Sequence, residues 1–286
     1  MIVLVLFGRV LFSAAASTVQ KKLSLGGVRD SRLWILTYAF IALPAMVGFV
    51  IVWKNPVGPG FWFNAVVAGI LDALGNLAMV AALRSTHLSI FGPLNGFRPV
   101  LALLFGWVLL GEKPSALGAV GVIVTVVGVV LLLRDENPEG RWTAAVWRML
   151  ALRTAGLALS TFGAAFLKRA TLASSPAHTI GVWILCGLPV FWLFSLRKSS
   201  QPSESPPPPR LSWIFAHAAF FFGMQWLTLL VFRSTLLAYS FAFFQLAMIL
   251  QVFAGHWFFK EPHFGRRLLC CVVIGVGALL ISLTLT

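Results

Sequence analysis

The sequence contains little charge. Only 10% of its 286 residues are Asp, Glu, Lys or Arg, whereas 59% are hydrophobic. Soluble domains usually carry about 25% charged residues. Together with a mean hydropathy of +0.92, this composition excludes an ordinary soluble domain. It indicates a multi-pass integral membrane protein, which we expect in the inner or plasma membrane of the cell.

Acidic residues are scarcer than basic ones, and the formal net charge is +14. In a soluble protein such an excess would suggest a nucleic-acid partner. Here the basic residues cluster between apolar segments, where they can contact anionic lipid headgroups and set the orientation of the chain. We therefore expect the lipid bilayer, and no nucleic acid, as a partner.

Cysteines and catalytic motifs are also scarce or lacking. The three cysteines, Cys186, Cys270 and Cys271, lie in apolar segments without the spacing of a disulfide framework or a zinc site. The sequence has no GxxxxGK(S/T) segment for a nucleotide and no HExxH or GxSxG motif. We therefore predict no enzyme, no catalytic residue, no metal and no cofactor, and any energy coupling would use an ion gradient or exchange.

Ten apolar segments approach the length of about 20 residues that a membrane-spanning helix needs. They cover residues 2–20, 33–53, 61–83, 88–110, 114–133, 148–168, 176–196, 211–232, 236–259 and 265–285. The first segment has features of a signal peptide, but Arg9 interrupts its apolar core, so we interpret it as a retained span. A polar connector is predicted at 135–147, and the Ser/Pro-rich loop at 197–210 is expected to be a spacer.

The two halves of the chain, 1–134 and 148–286, are related by a repeat. "FGWVLLGEKP" and "GHWFFKEPHF" each place a Glu after an apolar, aromatic stretch, and Glu112 and Glu261 are 149 residues apart. Each half contains five predicted spans, and because five is odd, the second half enters the membrane from the opposite side. This predicts the inverted-repeat architecture of secondary transporters. We interpret the repeated Glu as a polar helix terminus in the turn between the fourth and fifth helices of each half.

The chain resembles the drug/metabolite transporter superfamily, in particular its EamA-type members. The likeness rests on the two five-helix repeats, on Pro99 in a fourth helix that ends in Gly111-Glu112, and on the Gly-rich fifth helix. The second half departs from this pattern, with Met248 in place of the Pro and Lys260 in place of the Gly. The resemblance implies export of amino acids, drugs or metabolites, or exchange of nucleotide sugars or phosphorylated sugars.

Charged residues at bilayer depth are costly and are therefore candidates for function. Arg9, Asp72 and Arg98 lie near the middle of the first, third and fourth spans. We hypothesise that Asp72 pairs with Arg98 and that Arg9 lies nearby, which leaves a positive surplus for a carboxylate or phosphate of the substrate. Two alternatives stay open: a buried ion pair that only fixes helix packing, or an Asp72 that takes up and releases a proton.

Polar side chains are concentrated in helices three, four, eight and nine, which would line a central cavity. Asn76 is four residues after Asp72 and shares its helix face. Asn95, Gln225 and Gln245 are the other candidates for substrate binding. Each amide could instead form only an interhelical hydrogen bond.

Aromatic and small residues leave further alternatives open. The aromatic segments 215–226 and 239–245 could face lipid or form an apolar wall for the substrate. Small residues of the fifth and tenth helices, such as Gly121 and Gly277, allow close approach either within the bundle or at a homodimer face. His178, His217 and His256 could carry protons, but no carboxylate is near them in sequence.

Two arguments about orientation disagree. The odd-numbered loops and their flanks hold 15 Lys and Arg residues and the even-numbered loops hold five. The positive-inside rule then places the odd loops in the cytoplasm and both termini outside. The family resemblance implies the reverse orientation, so both stay open.

These features predict a secondary transporter that moves a small organic metabolite, amino acid-like or otherwise anionic or amphipathic, by alternating access. The predicted substrate-binding or coupling residues are Arg9, Asp72, Asn76, Asn95, Arg98, Gln225 and Gln245. The alternative is a non-transporting receptor, scaffold or subunit that uses the same fold and binds a partner, for which the loop at 197–210 is a candidate.

Overall fold

The computed structural model describes residues 2–26, 28, 30–84, 93–110, 115–136, 144–196, 210–235 and 237–282. Over these ranges the chain forms α-helices and one 3₁₀ turn, Pro93–Gly96, and no strand. The helices are α1 (Ile2–Leu25), α2 (Asp30–Val52), α3 (Phe61–Arg84), α4 (Phe97–Leu110), α5 (Ala116–Glu136), α6 (Ala144–Ala173), α7 (Pro176–Ser195), α8 (Leu211–Ser234), α9 (Leu237–Phe244), α10 (Leu246–Phe259) and α11 (Phe264–Ser282). The predicted all-α class is confirmed for these ranges. Most of the predicted connector and nearly all of the Ser/Pro-rich loop lie outside them.

Seven helical segments of the described chain are long and apolar enough to cross a membrane. They are Ile2–Leu25, Ser31–Val52, Phe61–Ala82, Trp147–Ala173, Pro176–Ser195, Leu211–Ser234 and Ser240–Phe259. The protein is therefore a multi-pass integral membrane protein. Helix α4 has 14 residues, and the apolar part of α5, Ala116–Leu132, is shorter than a full span. The total of ten spans stays a prediction.

The predicted ninth span, 236–259, has a break in its helix at Gln245, between α9 and α10, while Ser240–Phe259 as a whole is one candidate span. The backbone N–H of Gln245 donates to the carbonyls of Phe241 and Ala242, and the backbone N–H of Met248 donates to the carbonyl of Gln245. The bonds to Ala242 and to Gln245 each span three residues and tighten the helix locally toward 3₁₀ geometry. The 3₁₀ turn before α4 ends at Gly96, which precedes Gln245 by the repeat distance of 149 residues.

Helices from the two halves pack against one another in pairs. Helix α1 packs along α8, α2 along α7, α3 along α6, and α5 along α11. Small residues allow this: Gly75 of α3 faces Gly156 of α6, and Gly277 of α11 lies against Thr125 and Gly121 of α5. Gly128 of α5 and Gly277 of α11 thus serve packing within the bundle.

The turn between α10 and α11 contains the repeated Glu of the second half. Lys260 ends α10 in the left-handed region with a φ of 54°. Glu261 is buried and forms an ion pair with Arg267 of α11 at 3.5 Å. Glu261 thus lies at a helix terminus, as predicted, with its charge paired. Glu112 lies outside the described residues.

Helix α6 is longer than predicted, since it covers 30 residues where the sequence suggested 148–168. Arg153, which the loop count treated as a flanking residue, lies nine residues into the helix and is 2% exposed. Lys168 and Arg169 were assigned to a loop and are instead helical. The Lys168 Nζ donates to the carbonyl of Thr235, 2.6 Å away.

Candidate functional site

The packing of α1, α3, α4, α6 and α8 around the α9–α10 junction leaves a cavity with two chambers. We call the first the Asp72 chamber and the second the Asn95 chamber. Six residues line both chambers, and we call them the neck: Arg9, Asn76, Arg98, Phe221, Met224 and Phe244.

All seven predicted site residues line this cavity. Arg9, Asn76 and Arg98 belong to the neck. Asp72 and Gln225 line the Asp72 chamber, and Asn95 and Gln245 line the Asn95 chamber. Residues far apart in sequence therefore meet in one place, and whether they bind a substrate stays a prediction.

Arg9 is held in the neck by contacts to two helices. Its guanidinium lies 3.6 Å from the ring centroid of Phe244, a cation–π contact. Its Nε donates to Thr228 Oγ1 of α8 at 3.3 Å. Arg9 is 6% exposed. Since the described hydrogen bond uses Nε alone, the two Nη groups of Arg9 are the atoms that can bind a ligand.

Arg98 and Arg153 connect α6 to the start of α4 by two crossed hydrogen bonds, which we call the crossed bonds. Arg98 Nη2 donates to Ser160 Oγ of α6 at 3.0 Å. Arg153 Nη2, from α6, donates to Asn95 Oδ1 in the 3₁₀ turn at 2.7 Å. Electrostatic repulsion acts between Arg98 and Arg153, and between Arg98 and Arg9. The neck is therefore a region of concentrated positive charge.

Asp72 does not form the predicted ion pair with Arg98. Its Oδ2 instead accepts hydrogen bonds from Asn76 Nδ2 and from Trp183 Nε1 of α7, each at 3.2 Å. Arg98 attracts Asp72 electrostatically across the chamber. Two neutral donors hold the carboxylate because Arg98 is directed to Ser160 on the neighbouring helix.

The amide side chains differ in their hydrogen bonds, and a role in substrate binding stays a prediction. Asn95 accepts an interhelical hydrogen bond from Arg153. Gln245 Nε2 donates to the carbonyl of Phe241 at 3.1 Å, while its buried Oε1 has no partner in the described chain. Gln251 Nε2 donates to Ser17 Oγ of α1 at 2.9 Å, so it joins two helices next to the Asn95 chamber.

Aromatic residues form a wall behind the neck. Trp34 lies 4.8 Å from Phe221 between ring centroids, and Tyr38 lies 4.9 Å from Trp183. His217 stacks on Phe221 at 5.8 Å and shares a hydrogen bond with Thr37 Oγ1 at 2.9 Å. The aromatic residues of 215–226 are therefore divided: Phe221 lines the cavity, whereas Phe215 is 60% exposed on the outer surface of the bundle.

Sequence reasoning missed four residues of the site: Ser160, Trp183, Thr228 and Arg153. The first three contact charged residues from distant helices, and no local pattern marks such contacts. Arg153 could have been predicted as a site residue. If α6 is taken to begin before residue 148, Arg153 lies inside the helix and is buried, and it is no longer a residue that flanks a loop. Arg153 donates to Asn95, which lines the Asn95 chamber.

The cavity has more positive than negative charge, since Arg9, Arg98 and Asp72 are the charged residues that line it. Such a site can bind an anionic group by charge-assisted hydrogen bonds. Within the described ranges no three His, Cys, Asp or Glu residues are grouped as metal ligands.

The EamA-like transporter family model matches residues 1–134, just under half of the chain, in agreement with the family resemblance drawn from the sequence. A protein of Vibrio cholerae serotype O1 described as "Riboflavin transporter" is 25% identical over 136 residues. These cover 47% of this chain and 45% of that protein, so the match spans less than half of either. Both names point to a transporter rather than an enzyme.

A solved crystal structure of a protein is similar over 98% of this chain and 96% of its own, with a TM-score of 0.68 and 17% identity. At this identity the likeness shows the fold alone. The helical arrangement described above is therefore one that an experimentally determined protein also adopts.

Proposed function

We propose that this chain, whose first 134 residues match the EamA-like transporter family model, is a secondary carrier for a small organic anion. The observation that supports this most is the neck. Arg9 and Arg98 lie there with guanidinium groups between two chambers, and Phe221 and Phe244 flank them. A carboxylate or phosphate would bind the guanidiniums, and an apolar or aromatic part would contact the rings.

The proposed mechanism is alternating access between two inverted five-helix repeats. The helix pairs support it, because exchange of the halves turns the α1–α8 pair into the α6–α3 pair and returns the α2–α7 and α5–α11 pairs to themselves. Positions 149 residues apart also line the same cavity, such as Asn76 with Gln225 and Asp72 with Phe221. A central site at a repeat interface is what rocking of one repeat against the other requires.

An uncharged planar solute is the second candidate substrate. The relative described as a riboflavin transporter suggests it, and the wall of Trp34, Phe221 and Phe244 offers ring surfaces for stacking. The two candidates differ in what they need from the neck. An anion depends on Arg98, whereas riboflavin, which has no anionic group, depends on the rings.

The test is profiling of metabolites in cells and medium at matched membrane levels of wild type, Arg98→Gln and Arg169→Gln. Arg169 is an exposed arginine of α6 and serves as the matched control. We expect wild type and Arg169→Gln to shift the same anionic solutes between cells and medium, and Arg98→Gln to abolish the shift. A riboflavin shift that persists in Arg98→Gln and disappears in Phe221→Ala would favour the second candidate.

No shift with wild type under varied growth conditions would contradict the carrier proposal. The alternative, a non-transporting receptor, scaffold or subunit with this fold, would then be tested by purifying the protein with whatever polypeptide it retains. A carrier and a scaffold make opposite predictions for Arg98→Gln, since a scaffold function has no need of a charge in a central cavity.

A further inference from the structure

Asp72 is the single acidic side chain that lines either chamber of the described cavity. Its two hydrogen bonds, from Asn76 and Trp183, both go to Oδ2. No donor in the described chain reaches Oδ1, and that oxygen belongs to a side chain that lines the chamber. One oxygen of the carboxylate therefore accepts hydrogen bonds from the protein, and the other is available to bind a proton.

This geometry suits both protonation states of the carboxyl group. In the neutral acid one oxygen remains a carbonyl acceptor with two lone pairs, which can keep both bonds from Asn76 and Trp183. The other oxygen, Oδ1, then carries the hydrogen and can donate it into the chamber. Asp72 can thus gain or lose a proton without breaking a described contact.

Basic groups outnumber acidic groups around Asp72. Arg9 of α1 and Arg98 of α4 are the basic side chains that line the chamber with Asp72. The helices that pack against α3 carry further titratable groups: Lys21 and Lys22 of α1, Asp30, Arg32 and Tyr38 of α2, Arg148, Arg153, Lys168 and Arg169 of α6, and His178 and Cys186 of α7. Burial disfavours the ionised state of Asp72, and Arg98 is the arginine whose charge acts against this effect.

We propose that Asp72 is the binding site of a coupling proton, and that this proton binds together with the substrate anion; the inference rests on the proposed anion-carrier function. An anion that binds Arg98 neutralises the charge that stabilises ionised Asp72. Asp72 then takes a proton on Oδ1, and no covalent bond other than this O–H bond is formed. Release of the anion restores the influence of Arg98, and the proton leaves.

Because the proton and the anion bind together, the net charge of the chamber stays constant. Arg9, Arg98 and ionised Asp72 together carry one positive charge when the carrier is empty. With a monoanion bound and Asp72 protonated, the sum is again one positive charge. The loaded and empty forms therefore feel the membrane potential equally, and transport of a monoanion is expected to follow the pH gradient and not the potential.

The test is an infrared pH titration of the full chain in lipid, from about pH 5 to about pH 9, which brackets the usual range of perturbed carboxyl groups. The readout is the C=O band of protonated carboxyl groups. Asp72→Asn identifies the Asp72 contribution by its loss. We expect a titrating Asp72 band in wild type, and in Arg98→Gln a proton affinity of Asp72 about tenfold higher, because loss of a nearby charge has the effect of a bound anion.

Controls separate charge from structure. Arg98→Lys keeps the charge and Ser160→Ala removes only the hydrogen-bond partner of Arg98, so both should titrate nearly as wild type. If Arg98→Gln does not fold, Trp183→Phe replaces it: loss of one donor to Oδ2 should also raise the proton affinity of Asp72. An Asp72 band absent over the whole range, or unchanged in both Arg98→Gln and Trp183→Phe, would overturn the proposal.

The outcomes also separate this inference from the proposed function. If wild type shifts anionic solutes in cells but Asp72 shows no titration, the carrier stands and the coupling proton fails. If Asp72 titrates as expected and no solute moves, the proton site stands as a property of a protein that is not a carrier, and the coupled part of the inference fails with the carrier.

Discussion

The guanidinium of Arg153 on α6 donates a hydrogen bond to Asn95 Oδ1, 2.7 Å away in the 3₁₀ turn before α4. Three residues later, Arg98 reaches in the opposite direction to Ser160 of α6. Two buried arginines thus connect the same two elements across the edge of the cavity. Helix α4 cannot move relative to α6 without giving up one or both bonds, so the crossed bonds couple the shape of the site to helix packing.

The Arg153–Asn95 bond is expected to contribute measurably to stability. A hydrogen bond to a charged group contributes about 1.5–3 kcal/mol. In a double-mutant cycle with Arg153→Gln and Asn95→Ala, we expect a coupling energy of about 1–3 kcal/mol in thermal or denaturant unfolding in lipid nanodiscs. Arg148→Gln, an exposed change on the same helix, should show no coupling to Asn95→Ala; equal values for the two pairs would contradict the assignment.

Anion affinity should depend on Arg9. The Nη groups of Arg9 face the neck while Nε is held by Thr228. Arg9→Gln should raise the KM for the transported anion about tenfold to a hundredfold, since a charge-assisted bond is lost, and Arg9→Lys should have a smaller effect. The measurement is the concentration dependence of transport in proteoliposomes at equal protein content, with Arg169→Gln as the control. If the KM is unchanged in Arg9→Gln, Arg9 contributes to helix packing and not to anion binding.

The close approach of α5 and α11 requires a glycine at position 277. A Cβ there would lie 2.7 Å from the Thr125 amide nitrogen and 2.8 Å from the Gly121 carbonyl oxygen. Gly277→Ala should therefore lower the free energy of unfolding by about 1–3 kcal/mol, the usual cost of overpacking. Gly265→Ala, on the same helix, meets nothing within 4 Å and should leave stability unchanged or slightly raised.

The bond between Thr37 and His217 is expected to hold α2 against α8. Both side chains are fully buried, so Thr37→Val leaves one ring nitrogen of His217 without its partner. The expected cost is about 1–3 kcal/mol in the free energy of unfolding. Thr18→Val is the control, because the Thr18 hydroxyl donates only to the Ala14 carbonyl of its own helix. If both variants lower the free energy of unfolding by similar amounts, the interhelical hydrogen bond contributes nothing to stability.

The helices could be predicted because each one results from a property of its own sequence segment. Apolar segments of about 20 residues must satisfy their backbone hydrogen bonds internally within a bilayer, and the helix does so. Predicted and observed boundaries agree within a few residues for α1, α2, α3, α7 and α8. The exceptions were α6, which begins four residues earlier and ends five residues later than predicted, and the fourth predicted span, 88–110, which contains the 3₁₀ turn Pro93–Gly96 before α4. The junction at Gln245 is a third exception, because a local tightening leaves no mark in hydropathy.

The site residues were predictable for a related reason. A charge or amide inside an apolar segment is costly whatever surrounds it, so Arg9, Asp72 and Arg98 could be selected from the sequence alone. Their partners could not, because Trp183, Ser160 and Thr228 are unremarkable in their own helices and matter only where other helices bring them. Only the tertiary structure decided that Asp72 is held by two neutral donors and that Arg98 is directed to α6, since side-chain pairing depends on how helices approach and not on their own sequences.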